Sequence, residues 1–314
     1  MKKFVLAATA ASLLLVSATA YAGTPDQSNV RGKQIELGAA AINDHGRLLV
    51  PVRLIAETIG ATVTWNPKSR TAAMHKWTET VKFTEGKDTA YFAKRYESGL
   101  FALHAPVRVV NDQVYVPVRF LSDFYGYQIT AKDGMLTINS PFSQYEQQLL
   151  STGELASVRR LVMDKASRKL HFANAPIPYL PKQREGYSTT YLFPVGEANR
   201  FFLLFEDTVW FCERQGDFFV VTWEANIPVG TDDMAHLLLN GEVTDATGPR
   251  PVTGKDFFYY RIGGLMTTTI ITAGKLAHDG TVTESGMKRM VDGEAAVQTG
   301  TLELKLPEEK RKEA

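Results

Sequence analysis

Two stretches of this chain are one supersecondary unit written twice. Residues 48–63 and 114–129 align without a gap at an offset of 66, so that Val50-Pro51-Val52-Arg53 returns as Val116-Pro117-Val118-Arg119 and Gly60 returns as Gly126. Hydrophobic character is kept at 54, 55, 59 and 63, and again at 120, 121, 125 and 129. Such a repeat restricts the fold more than composition does, because one local solution must serve twice and the copies must tile.

The unit has a physical grammar. Residues 47–50 and 113–116 read as strands that end at Pro51 and Pro117, since proline has no N–H for a ladder and presets φ for a helix start. Residues 52–59 and 118–125 carry apolar side chains at helical spacing. Gly60 and Gly126 suit the left-handed position that closes a helix. A hairpin follows each: 62–65 with 71–75, and 128–130 with 135–139. Strand-like segments 34–37 and 80–83 precede the copies. Residues 23–140 are therefore expected to form an N-terminal domain with cores at 47–75 and 113–139.

Beyond Asn139-Ser-Pro-Phe142 the pattern changes. Residues 143–163 read as helical with an interruption at Gly153, and 173–181 as an irregular connection, so 141–181 is expected to be a helical and irregular linker. From 187 the chain turns β: 187–195, 200–206, 209–214 and 218–225 are strand-like with turns too short for anything but an antiparallel meander. Further strands are expected at 235–244, 256–262, 265–272 and 300–306, with a short helix at 283–290. The expected fold class is α+β: a twisted antiparallel N-terminal sheet with short helices, built from two 66-residue repeats, then a mainly antiparallel β domain at 182–306. The tail 307–314 reads as a solvated charged end.

The first residues look like an export signal. Lys2 and Lys3 precede an apolar run from Phe4 to Ala20, and Ala20-Tyr21-Ala22 offers a small-x-small cleavage site. Cleavage after residue 22 leaves no second apolar run of about 18 residues, so no membrane span is expected afterwards. The net charge is +1, and with residues 1–22 removed it is −1. That balance offers no field for nucleic acid. Cys212 is the only cysteine, so an internal disulfide is excluded, and its apolar neighbourhood reads as a buried structural thiol.

The line Val50-Pro-Val-Arg-Leu-Ile-Ala-Glu-Thr-Ile-Gly-Ala-Thr-Val-Thr-Trp-Asn-Pro67 resembles the copper amine oxidase N-terminal-like, or stalk, domain. The likeness covers about residues 30–140; the second copy departs from it with Ala131 in place of Trp65 and Tyr127 in place of Ala61. Its signature here is Pro51, Arg53, Gly60, Trp65, Pro117, Arg119 and Gly126. The resemblance implies a twisted antiparallel sheet with a packed helix, in a family that commonly occurs without any oxidase domain in secreted proteins of spore-forming Gram-positive bacteria. Oxidase chemistry itself is not expected. No tyrosine follows an asparagine to form the cofactor, and the six histidines are far apart, so no His-x-His copper pair exists.

Other chemistry is sparse. Arg53 and Arg119 precede acids at i+4, Glu57 and Asp123, in the weaker order for a helical pair, so at least one is expected to bond a strand carbonyl or a carboxylate of the other copy. Ser285-Gly-Met-Lys288 has a Ser-x-x-Lys spacing without its Lys-Thr-Gly companion. The pairs Asp232-Asp233 and Glu206-Asp207 read as turns or caps. No cofactor, metal site or catalytic residue is expected. The second half is dense in aromatics, which reads first as a sheet covered on both faces. The functional alternative is an exposed platform, with Trp210, Trp223 and Tyr259 facing a glycan or peptide. Together these features lead to the expectation of a secreted, non-catalytic cell-surface or extracellular module: a stalk-like spacer or adhesion domain plus a β-rich domain that binds cell-wall polymer or another extracellular protein. The alternative is an envelope-polymer-acting enzyme that uses the repeats for targeting, with two carboxylates as acid and base.

Overall fold

The computed structural model describes residues 32–37, 41–95, 97–178, 186–227, 242–254 and 256–312. The export signal, Asp232-Asp233 and most of the strand expected at 235–244 lie outside the described residues. The described residues from Gly32 onward belong to one compact unit.

In chain order, β1 (Lys33–Glu36), β2 (Ile42–Asp44) and β3 (Arg47–Pro51) lead into α1 (Val52–Ile59). Then come β4 (Thr62–Asn66), β5 (Thr71–Lys76), β6 (Glu79–Thr84), β7 (Thr89–Ala93) and β8 (Ser98–Ala102), a five-stranded antiparallel meander. β9 (Arg108–Val110) and β10 (Gln113–Pro117) precede a single π-helical turn (Leu121–Tyr125) and the hairpin of β11 (Gln128–Lys132) and β12 (Met135–Asn139). β1 adds to that hairpin through β12, while β2, β3, β10 and β9 make a separate four-stranded sheet.

β3 and β10, the strands that carry the two Val-Pro-Val-Arg lines, pair with each other antiparallel, with Val50 opposite Val116, Leu49 opposite Pro117 and Pro51 opposite Tyr115. Val50 thus faces its own counterpart, while Leu49 and Pro51 each face the residue two positions from theirs. Both strands stop at their prolines as expected. Gly60 and Gly126 both adopt left-handed conformations, φ 70° and 82°. The segments after the prolines differ, however. The first is the expected α-helix, with Val52, Ile55, Ala56 and Ile59 buried. The second is only the five-residue π turn. Phe124 and Tyr125 stand there where the first copy has Thr58 and Ile59, and both rings are buried. Phe124 stacks on Phe101 (centroids 5.7 Å apart, 19°), whereas Tyr125 turns toward Phe218.

α2 (Gln144–Thr152) and α3 (Leu155–Arg168) follow, broken at Gly153 as expected. Ser143 opens α2 with a reciprocal capping box to Glu146. The second half is one large sheet made of β13 (His171–Phe172), β14 (Tyr187–Pro194), β15 (Arg200–Phe205), β16 (Thr208–Gln215), β17 (Phe218–Asn226), β18 (Thr244–Thr247), β19 (Phe257–Leu265), β20 (Thr268–Leu276), β21 (Val282–Val291) and β22 (Val297–Gly300). Its order is β13-β17-β16-β15-β14-β19-β20-β21-β22, with β18 also on β17. The pairing is antiparallel except for β13, which runs parallel to β17.

Three expectations are corrected. Residues 283–290, expected to be a helix, lie within β21 and pair along β20. Gly286 is a poor helix residue, and a long neighbouring strand supplies the ladder. The last strand is β22 at 297–300 rather than 300–306. The tail is not wholly solvated: Leu304 is buried before it, and the Glu309 side chain is buried against Arg159 of α3.

Adjacent aromatics on a strand point to opposite faces, and both faces are covered. Phe193, Phe201, Phe219 and Phe258 pack with Val158 and Val162 of α3. Phe202, Phe211, Trp223 and Phe257 fill the other side. The N-terminal core, built on α1 and the meander, also takes in Phe218 and Val220 of β17. One end of the large sheet is therefore part of the first core, and the two halves of the chain meet there in a seam.

Candidate functional site

Trp223 is 1% exposed and Tyr259 8%, so neither presents a ring to solvent. Trp210 is half-buried between Phe205 (6.4 Å, stacked) and Phe172 (5.8 Å, edge-on), and its indole N–H donates to Glu224 Oε1 at 2.8 Å. The structure gathers none of the three into a platform. Of the repeat signature, Pro51, Pro117, Gly60 and Gly126 define the strand ends and the left-handed turns, and Trp65 packs half-buried on the N-terminal core. The two arginines behave otherwise than expected. Arg119 reaches only Asp123 of its own segment, at 3.9 Å, and Arg53 is exposed; neither crosses to the other copy among the described residues. Ser285 donates to the Ala273 carbonyl within the sheet, and Lys288 lies further along the same strand.

The densest unexpected chemistry lies at the seam. The β5–β6 turn carries Trp77 with φ 54°, followed by Thr78 and Glu79. Thr78 donates both its backbone N–H (3.0 Å) and its hydroxyl (2.8 Å) to the Phe172 carbonyl, and so fastens the turn to β13. That brings Glu79 Oε1 within 2.7 Å of His171 Nδ1. Both residues are buried, at 4% and 1% exposure. Rings enclose the pair: Trp77 lies 4.4 Å from the His171 ring, and Phe218 lies 4.9 Å away, edge-on. Three polar atoms here have no hydrogen-bond partner among the described residues: Glu79 Oε2, His171 Nε2 and the Tyr125 hydroxyl.

Burial dominates the electrostatics. It lowers the His171 pKa despite the opposing pull of Glu79, so the ring is neutral near pH 7. Burial also pushes the Tyr125 and Tyr127 hydroxyls well above the ordinary phenol range. Lys76, whose ammonium donates to the last carbonyl of α1 and lies 4.4 Å over the Trp77 ring, is lowered to about 8, chiefly by burial. A second buried pair lies close by: Arg95 binds Glu224 and sits 4.5 Å over the Phe172 ring. Sequence reasoning missed all of these. Glu79 and His171 are 92 positions apart, and only the docking of β13 against β17 and the β5–β6 turn brings them together.

On the outside, β8 is a terminal strand of the meander. Leu100, at its centre, is 69% exposed and lies directly opposite Tyr91, which is 38% exposed. Lys82 approaches the Tyr91 ring at 5.5 Å. No group of three or more metal-ligating side chains occurs among the described residues, and none of their helices is long and apolar enough to cross a membrane.

Residues 29–139 match the family of the copper amine oxidase N-terminal domain. A Brevibacillus choshinensis protein described as a protease inhibitor is 34% identical over 126 residues, which make up 40% of this chain and 37% of that protein. The chain thus spans little more than a third of the length of that curated relative. No solved structure matches. The matched family is the non-catalytic N-terminal domain of copper amine oxidases, so the likeness brings no oxidase chemistry with it.

Proposed function

We propose that this chain is an exported, non-catalytic binding protein whose residues 23–140 are a duplicated stalk-like unit and whose partner is an extracellular protein. The Val50–Val116 register and the shared left-handed glycines support duplication, and the sequence of residues 1–22 supports export. The relative described as a protease inhibitor makes an extracellular protease the first partner class to test.

One observation carries the protein-binding reading. Among the described residues no strand pairs beyond β8, and its exposed Leu100 lies beside Tyr91. An unpaired edge adds a strand from a partner through backbone hydrogen bonds, and exposed apolar side chains supply further contact area. Proteases engage extended chains in this manner. A wall polysaccharide is the weaker partner, because Trp223 and Tyr259, two of the rings that would stack on sugars, are inside.

The test is casein hydrolysis by subtilisin, trypsin and chymotrypsin, each titrated with the full chain, alongside Leu100→Asp. The expected result is dose-dependent slowing of at least one protease, weakened at least tenfold by the substitution. If none slows, or if Leu100→Asp slows it equally, the reading fails. Amino-terminal sequencing of the exported protein is expected to begin at Gly23.

A further inference from the structure

The antiparallel register of β3 and β10 sets two arginines against each other. Pro51 faces Tyr115, Val50 faces Val116 and Leu49 faces Pro117, and the Val118 N–H then donates to the Leu48 carbonyl at 3.1 Å. The next residues along that register are Arg47 and Arg119. Like charges directly opposite each other on a strand pair repel and cost stability. No acid bridges these two among the described residues. Asp44, which faces Arg47 across β2, is held instead by Arg108 at 3.0 Å and by the His45 ring at 2.7 Å. Asp123 stands 3.9 Å from Arg119, too far for a hydrogen bond. No hydrogen bond or ion pair engages the Arg47 guanidinium among the described residues.

Both arginines line one cleft of ≈180 Å³, together with Leu48, Leu103, His104 and Pro117, and none of its lining residues is an acid. His104 enters from the segment just beyond β8, at φ 65°. All three polar side chains are exposed, so a guest in the cleft reaches them directly. The doubled charge belongs to one end of the strand pair. At the offset of 66, Arg119 answers to Arg53 but Arg47 answers to Gln113. The other end therefore sets one arginine against a neutral amide.

We propose that this cleft binds a phosphate group. A guanidinium fork is filled by two oxygens, so a single carboxylate occupies one arginine and leaves the second unmet. A phosphate carries enough oxygens to accept from both forks and from an imidazole N–H. The carbon part of a phosphate ester lies against Leu48 and Pro117. The cleft is smaller than the ~300 Å³ at the lower end of drug-sized ligand pockets, so the bound portion is small. Leu100 is not among its walls, so this site and the β8 edge stand or fall separately.

The test is calorimetric titration of the full chain at low salt with glycerol 3-phosphate, inorganic phosphate and acetate. The expected result is saturable binding of both phosphates, with the ester the tighter and acetate at least tenfold weaker than either. Equal binding of the two phosphates identifies the free ion as the guest. Arg47→Gln and Arg119→Gln are each expected to weaken binding at least tenfold. Each also relieves the repulsion between the arginines, so the free variants are expected to melt no lower than the parent. Arg53→Gln removes the same charge from the other end and is expected to leave affinity unchanged, which separates a built site from general attraction to a cationic surface. The proposal is overturned by absence of saturable phosphate binding, by acetate binding as tightly, by affinity that survives in both Arg47→Gln and Arg119→Gln, or by an equal loss in Arg53→Gln.

Discussion

Arg159 and Glu309 lie 150 residues apart and meet in a two-pronged ion pair, Nη2 to Oε1 at 2.7 Å and Nη1 to Oε2 at 3.0 Å, with both side chains essentially excluded from solvent. Arg159 also donates to the carbonyls of Glu197 and Leu304, while the amides of Gly196 and Leu306 donate to Glu309. The pair fastens the C-terminal segment across α3, over a core where the Arg159 guanidinium lies 5.0 Å from the Phe193 ring.

Removing one partner strands the other charge in the core. Glu309→Gln is expected to cost about 3–5 kcal/mol in urea unfolding, whereas replacing both, as Arg159→Met with Glu309→Leu, recovers most of it. Burial alone would raise the Glu309 pKa, but the hydrogen bonds and charge of Arg159, with the two amides, leave it lowered. The folded carboxyl therefore releases its proton more readily than the unfolded one. Its contribution is complete above the ordinary value of 4.5 and declines as pH falls below it toward the folded pKa. Stability against pH in the parent and in Glu309→Gln checks this: the parent's acid decline should be the steeper.

Phe218 is the ring of the large sheet that enters the N-terminal core, against Trp77, Tyr127 and His171. Phe218→Ala is expected to destabilise by about 3–5 kcal/mol through lost burial and the cavity left behind. Denaturant unfolding followed by tryptophan fluorescence reports it, and a loss below about 1 kcal/mol would show that the seam repacks.

Lys76 gives a pH dependence of the same sign as Glu309 in a higher window, although here folding disfavours the charged form. Its folded pKa of about 8 lies below the 10.5 of the unfolded side chain, so the unfolded state binds more protons between those values. Stability should rise with pH above about 8. Tyr125 and Tyr127 then reverse the trend, because near pH 10 the unfolded phenols ionise while the folded ones stay protonated. A maximum between pH 8 and 10 is expected, and Lys76→Met should flatten its rising side.

Cys212 is fully buried, and burial pushes its thiol well above the ordinary range. The native protein should leave a disulfide reagent such as DTNB unreacted over hours at pH 8 and yield one equivalent in guanidinium. Rapid native reaction would mean that the sheet opens locally.

Local chemistry is legible in the order of residues alone. Pro51 and Pro117 end strands because proline lacks an N–H, Gly60 and Gly126 take positive φ because they lack a Cβ, and short turns make residues 187–226 a meander. The alternation that puts Phe201 and Phe202 on opposite faces also points to a sheet covered twice.

What the sequence could not determine was decided at long range. Residues 283–290 became a strand because β20 lay beside them, and the segment that buries Phe124 and Tyr125 in the N-terminal core is a π turn where the first copy has a helix. His171 found Glu79, and Arg159 found Glu309, across 92 and 150 residues. Periodicity and turn chemistry act over a few residues and are written in order along the chain. Burial of a charge or a ring depends on which distant segment covers it, and no local pattern encodes that choice.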